Sequence, residues 1–157
     1  MSATLADLGG GIVLRRAAAA DLPAIVALLT DDPLGATREV AGPAPYERAF
    51  AAVDADPAHL LVVADDAGEV VGTLQLSFLP GLSRGGALRA QVEGVRVAAA
   101  ARGRGLGEAL LRWCAEEARR RGAALVQLTT DSRRPDAHRF YERLGYVASH
   151  VGMKLEL

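Results

Sequence analysis

The segment Leu106 to Arg121 constrains this chain more than any other. Leu106, Ala109, Leu110, Trp113, Cys114 and Ala118 recur at helical spacing and form one apolar stripe, while Glu108/Arg112 and Glu116/Arg120 are four-residue charge pairs on the opposite side. Arg119, Arg120 and Arg121 stand where the helix dipole favours cations, and Gly122 is a stop signal. An alternating segment, Gln91 to Val97, precedes this helix, and an apolar one, Ala124 to Thr130, follows it. Strand, helix and strand in that order form a βαβ unit, whose crossover requires parallel or near-parallel strands.

The rest of the chain reads as antiparallel. Residues 1–11 end in Gly9-Gly10-Gly11 and are expected to form a flexible arm. Ile12 to Arg16 fits a first strand, and Asp21 is a plausible N-cap ahead of Pro23 and a short helix over Ile25 to Leu29. Asp31 to Pro45, rich in proline and glycine, reads as loop. Tyr46, Ala49, Phe50 and Val53 predict a second short helix. His59 to Ala64, a turn at Asp65 to Gly68, and Glu69 to Phe78 predict a β-hairpin, followed by a loop from Pro80 to Gly86. In Gln91 to Val97 the apolar residues Val92 and Val95 are an odd number apart, so strict alternation fails around Gly94 and a β-bulge is expected there. Beyond the helix, Pro135 to Leu144 predicts another helix ending at Gly145, and Tyr146 to His150 and Met153 to Leu157 predict two closing strands. A mixed α+β sheet follows, with residues 12–157 as a single domain.

At 157 residues the chain is long enough to bury a substantial core. Its single cysteine, Cys114, excludes an intrachain disulfide, and no zinc-ligand spacing is present, so no metal site is expected. The sequence predicts no signal peptide and no membrane span, which fits a cytoplasmic protein that does not associate with membranes. A net charge of −1 argues against nucleic acid as a partner, although 17 of the 18 cations are arginine.

Chemistry concentrates between Val97 and Leu106. In Arg102-Gly103-Arg104-Gly105-Leu106-Gly107 the glycines allow close backbone approach, and the free N–H groups of the first helical turn suit a phosphate or pyrophosphate. Two readings stand side by side: an anion cradle, or a glycine-rich connection with no ligand. The glycines are spaced by two, which departs from the dinucleotide fingerprint, although Asp131 after the next strand keeps a nucleotide-binding oxidoreductase in view. No Gly-Lys-Ser/Thr exists, so a P-loop is excluded.

The run Val92-Glu93-Gly94-Val95-Arg96-Val97, a four-residue linker and Arg102-x-x-Gly105-x-Gly107 resemble the coenzyme A signature of the GCN5-related N-acetyltransferase (GNAT) superfamily. Downstream, Ala137-x-x-Phe140-Tyr141-x-x-x-Gly145-Tyr146 is similar to a second motif of that superfamily. The resemblance implies a mixed, mostly antiparallel twisted sheet of six or seven strands flanked by about four helices. It implies acetyl transfer from acetyl-CoA to a primary amine by direct attack in a ternary complex, without a metal. Val95, Arg96 and Val97 would then pair with the pantetheine arm. The N–H groups from Gly103 through Arg104, Gly105, Leu106 and Gly107 to Glu108 would hold the pyrophosphate, with Arg102 adding positive charge. The family often has Asn where Arg134 stands, so Arg134 or Arg139 reaches a phosphate instead or is simply solvated.

Tyr141 matches the tyrosine that protonates the leaving thiolate, and its alternative role is packing beside Phe140 and Leu144. Glu93 is the candidate proton acceptor for the amine, or else a paired strand residue. His138 and His150 read as surface groups, His59 as a strand start, and Cys114 as a buried inert thiol. The acceptor is expected to be a small-molecule amine, or a protein amine, bound near Leu34 to Tyr46 and Pro80 to Arg89, where Arg38, Glu39, Arg84 and Arg89 are available. A non-catalytic acyl-CoA-binding module is the rival reading, and pairing through the C-terminal strands predicts a homodimer.

Overall fold

In the computed structural model, which describes residues 3–157, the alternating segments pair as one six-stranded sheet in the sequential order β1 to β6. The strands are β1 (Thr4–Gly9), β2 (Ile12–Arg16), β3 (His59–Asp66), β4 (Glu69–Leu79), β5 (Arg89–Val97) and β6 (Leu125–Gln127). The helices are α1 (Leu22–Thr30), α2 (Ala44–Ala55), the single turn α3 (Ser83–Gly86), α4 (Leu106–Arg120) and α5 (Pro135–Arg143). Every neighbouring pair is antiparallel except β5 and β6, which are parallel with α4 as their crossover. The βαβ unit and the mixed α+β sheet expected from the sequence are therefore both present.

The residues expected as a flexible arm do something else. Thr4–Gly9 pairs with β2, and Gly9, Gly10 and Gly11, all at positive φ, make the turn between the two strands. A glycine run reads as flexibility in sequence, yet left-handed backbone is what a tight hairpin turn demands. Asp21 also departs from its expected role. Its side chain does not cap α1; its oxygens accept from Arg15 at 2.7 and 2.9 Å and from the Ala18 N–H at 2.7 Å. Arg15 reaches on to Asp65 at 2.8 Å, tying β2 to β3. The Arg15 bonds, opposed by desolvation and assisted by the Ala18 N–H, hold the Asp21 carboxyl below its ordinary range.

Side-chain alternation sorts the two faces of the sheet. Leu60, Val62, Leu74, Leu76, Phe78, Ala90 and Val92 are buried on the face that α4 covers with Leu106, Leu110, Leu111, Trp113 and Cys114. On the other face Val63 packs with Ala17 and Ile25, and Leu29, Phe50 and Leu61 gather around them. Truncating one of the fully buried leucines to alanine would cost about 2–5 kcal/mol. The C-terminal end of β5 lies near α1 and the N-terminus of α4, and that corner carries the site.

Two compact units make up the chain, with the boundary after Gln127. In the second, Leu128–Leu157, α5 forms as expected, but 146–150 and 153–157 are not strands. Val147, Val151, Met153, Leu155 and Leu157 are exposed there. Alternation can mark a face, but a strand forms only where a ladder partner completes its hydrogen bonds, and a sequence pattern does not supply one. β6 is likewise shorter than expected, covering 125–127 rather than 124–130.

Candidate functional site

The ladder between β4 and β5 places Gln75 opposite Glu93 and Thr73 opposite Arg96, so Leu74 alone faces both Gly94 and Val95. This is the expected bulge, and Gly94 adopts φ +62 within it. The extra residue resets the alternation. Arg96 consequently lies on the same face as Glu93, with its guanidinium 4.0 Å from Asp32 just beyond α1. On the other side of β5, β6 pairs only with Arg89, Ala90 and Gln91. Within this unit the edge of Glu93–Val97 facing away from β4 has no strand neighbour. Side chains engage part of it: Arg96 donates to the Val95 carbonyl at 2.8 Å and Arg102 to the Val97 carbonyl at 3.2 Å.

The chain then leaves the sheet through a 3-10 turn at Ala99–Ala101 and enters the glycine loop. Gly103 and Gly105 both sit at left-handed φ, +76 and +75, with open space where a side chain would project. Gly105 is the N-cap of α4, and the first intrahelical bond runs from the Ala109 N–H to the Gly105 carbonyl at 3.0 Å. The N–H groups ahead of Ala109 are therefore the helix's orphan donors, presented beside the open edge of β5. Leu106 is buried and anchors the helix, so its backbone alone is available. Neither arginine of the loop is a free charge. Arg102 stands 3.6 Å from Asp31 and Arg104 3.6 Å from Asp66. Glu108 is bonded to Arg112 one turn on, which offsets the one acid in the first turn.

Glu93 is exposed and borders a concavity of about 170 Å³ lined by His59, Gln75, Ser77, Leu79, Gln91 and Glu93. Register explains why these six meet: His59 pairs with Ser77, Ser77 with Gln91, and Gln75 with Glu93, all on one face. Gln127 donates to Gln91 at 2.9 Å and Gln91 to Glu93 at 2.9 Å, so the carboxylate is held by a chain of amides crossing two strands. His59 Nδ1 and Gln75 Nε2 both contact Ser77 Oγ, at 2.8 and 3.1 Å. Sequence reasoning placed Glu93 but missed Gln75, Ser77 and Gln91 and gave His59 no role. The available signal was polar alternation between the buried Leu74, Leu76 and Phe78 of β4 and between Ala90 and Val92 of β5.

Cys114 is wholly buried among the apolar residues of α4, and burial, with a contribution from Glu117, pushes its thiol up to about 12. It is the inert thiol the sequence predicts. In the second unit Tyr141 is half-buried on α5, its ring edge-on to Phe140 at 5.3 Å and to Tyr146 at 5.8 Å. The packing contacts expected of the motif are thus present. His138 bonds the Asp131 carbonyl at 3.1 Å, His150 contacts Ser149, and Arg139 pairs with Asp136. Asp131 is bound by the Arg133 side chain at 2.9 Å and stands beyond β6, which ends at Gln127, rather than at the end of a strand.

Residues 22–146 match the acetyltransferase (GNAT) family. Over 105 residues the chain is 39% identical to an aminoalkylphosphonate N-acetyltransferase of Salmonella typhimurium, covering 67% of this chain and 68% of the relative. It is 36% identical over 90 residues to a glucosamine 6-phosphate N-acetyltransferase of Trypanosoma brucei brucei, covering 57% of this chain and 59% of that protein. Among solved structures, a transcriptional regulator from Bacillus halodurans superposes with a TM-score of 0.90 at 46% identity, covering 93% of this chain and 99% of that one.

Proposed function

Because the chain belongs to the acetyltransferase (GNAT) family, we propose that its site works by holding acetyl-CoA along the open edge of β5 and presenting an amine beside Glu93. The chain is an acyl-CoA-dependent N-acetyltransferase that transfers an acetyl group to an amine. The observation that carries the site reading is the edge of Glu93–Val97 away from β4, which bends at the Gly94 bulge and, in its unit, has no strand neighbour next to the orphan donors of α4. Val95, Arg96 and Val97 offer main-chain groups to a pantetheine arm. Gly103 through Glu108 offer N–H groups to a pyrophosphate, and the open space at Gly103 and Gly105 lets it approach. Arg102 donates Nε–H to the Val97 carbonyl while its Nη2 stands 3.6 Å from Asp31, and the second lone pair of that carbonyl remains for an arm to use.

Acetyl-CoA supplies the activated acyl group. The amine must be neutral to attack, and Glu93, fixed by Gln91, is the proton acceptor that makes it so. A backbone donor near Val95 stabilises the developing oxyanion, an effect worth ~3 kcal/mol where such donors have been removed. Tyr141 supplies the proton to the leaving thiolate. The acceptor is a small-molecule amine; the curated relatives are named for an aminoalkylphosphonate and for glucosamine 6-phosphate, which supports that class. The protein acts in the cytoplasm, and two copies associate through the exposed alternating tail Met153–Leu157. Among the described residues no helix is long and apolar enough to cross a membrane.

Release of free thiol from acetyl-CoA, followed against a panel of amines, tests the activity. Thermal unfolding with acetyl-CoA and with NAD tests the site. A shift with acetyl-CoA and amine-dependent thiol release are expected. A shift without release under any amine would leave only an acyl-CoA-binding module, and no shift would remove the site.

A further inference from the structure

Arg89, Gln91 and Glu93 alternate along β5, and β4 sets Leu79, Ser77 and Gln75 directly opposite them. Gln91, Glu93, Leu79, Ser77 and Gln75 line the concavity that His59 closes from β3, with Glu93 at one end, and Arg89 follows Gln91 on the same face of β5. Leu79 lines the concavity and is the register partner of Arg89, which puts the arginine at its rim. The guanidinium lies beside Gly81, where a Cβ would stand 3.8 Å from Nη2.

Charge pairing separates Arg89 from other arginines of similar burial. Arg15, Arg16, Arg96 and Arg121 are also half-buried, and each lies within 4.0 Å of a carboxylate, on Asp21, Asp54, Asp32 and Glu117 respectively. Among the described residues Arg89 has no such partner. A half-buried cation has given up hydration, and an anion that meets it restores the balance. The residues that line the concavity, Gln75, Ser77, Leu79, Gln91, Glu93 and His59, include no arginine or lysine. One end is thus acidic, the middle is a fixed hydrogen-bonding surface, and the rim is basic.

We propose that Arg89 receives an anionic group on the acceptor, so that the acceptor is an amine carrying a negatively charged second end, its amine at Glu93. The inference rests on the acetyl transfer and the role of Glu93 described above, and it adds the specificity-determining residue. The Cα atoms of Glu93 and Arg89 are ~13 Å apart at ~3.3 Å per strand residue and share one face of β5, so an acceptor of suitable length spans them.

The test uses ω-aminoalkylphosphonates with two to six carbons and the aminoalkanols of the same lengths. For the unmodified protein the best phosphonate should exceed its alcohol counterpart in kcat/KM by about tenfold to a hundredfold, the gain expected of a charge-assisted hydrogen bond. Arg89→Gln should erase that advantage through KM while the alcohols and acetyl-CoA affinity stay unchanged, and Arg89→Lys should retain part of it. Equal use of phosphonates and alcohols, or equal loss of both in Arg89→Gln, would overturn the proposal. If acetyl-CoA releases no thiol with any amine, the transferase reading has failed instead. Calorimetric binding of the same phosphonates then still decides, with weaker binding by Arg89→Gln in its favour and equal binding against it.

Discussion

Gly105 and Gly107 stand two residues apart in the same loop, yet one methyl group added at each should act in opposite directions. Gly105 caps α4 at φ +75, a left-handed conformation that costs an L-residue about 1–2 kcal/mol. Gly107 lies inside α4 and is not among the positive-φ residues, so alanine there gains helix propensity, up to about 1 kcal/mol. Gly105→Ala should therefore destabilise the ligand-free protein, Gly107→Ala should stabilise it, and the two should differ by roughly 1–3 kcal/mol. For a chain of this size about 1 kcal/mol moves Tm by roughly 2–4 °C, so their melting temperatures should stand about 2–12 °C apart. Acetyl-CoA at ~100 times its Kd adds ~2.7 kcal/mol to whichever variants still bind it. In the proposed site the phosphates approach through the open space at Gly105, so Gly105→Ala should lose much of that increment at a given acetyl-CoA concentration, whereas Gly107→Ala should keep it. Differential scanning fluorimetry with and without acetyl-CoA reads both effects. Equal Tm values for the two ligand-free variants would refute the left-handed cap. A full acetyl-CoA increment in Gly105→Ala would refute the close backbone approach.

Tyr141→Phe should lower kcat by ~10²–10⁴ with little change in acetyl-CoA affinity, because the ring still packs against Phe140 and Tyr146; an unchanged kcat with chemistry rate-limiting would make the phenol a packing residue. Glu93→Gln should lose most activity at low pH and recover part of it in alkaline assays, and the same fractional loss at every pH would assign Glu93 to positioning alone. Asp21 has a carboxyl held below its ordinary value by Arg15, so it stabilises the fold above about pH 4 and loses that contribution as pH falls through its folded pKa. Urea unfolding should show Asp21→Asn less stable than the unmodified protein at pH 7 and approaching it in acid, and a constant difference across that range would contradict the linkage. Sedimentation should give twice the 16.4 kDa chain mass, with Leu155→Asp returning the monomer; a monomer at micromolar concentration in the unmodified protein would remove the tail interface.

Legibility followed the range of the interactions. α4 and the β3–β4 hairpin were readable because their signals are local: an apolar stripe at helical spacing, and a turn in which Ala67 and Gly68 adopt positive φ while Asp65 accepts the Gly68 N–H. The bulge was readable for the same reason, since a broken alternation is written within one strand. Pairing was not. Nothing local says that Gln75 meets Glu93 or that Ser77 stands between His59 and Gln91, because those meetings depend on the register of three strands. The same limit explains Arg102 and Arg104, read as available charges although each has an acid partner supplied from a distant part of the chain. It also explains the tail, whose alternation is visible but whose ladder partner is not.

One inserted residue, at Gly94, links these features. Without it β5 would remain in strict alternation beyond Glu93, and Arg96 would turn toward the apolar face that α4 covers. With it, Arg96 stays on the polar face and pairs with Asp32, while Val97 falls opposite Gly72, whose absent side chain leaves room for Leu106. Leu106 is the first residue of α4, so the bulge and the position of the helix N-terminus are set by the same register. The open edge and the orphan donors therefore come as a pair. A substitution that repaired the alternation would misplace the donors as well, and the polar concavity around Glu93 would lose its boundary with the open edge of β5.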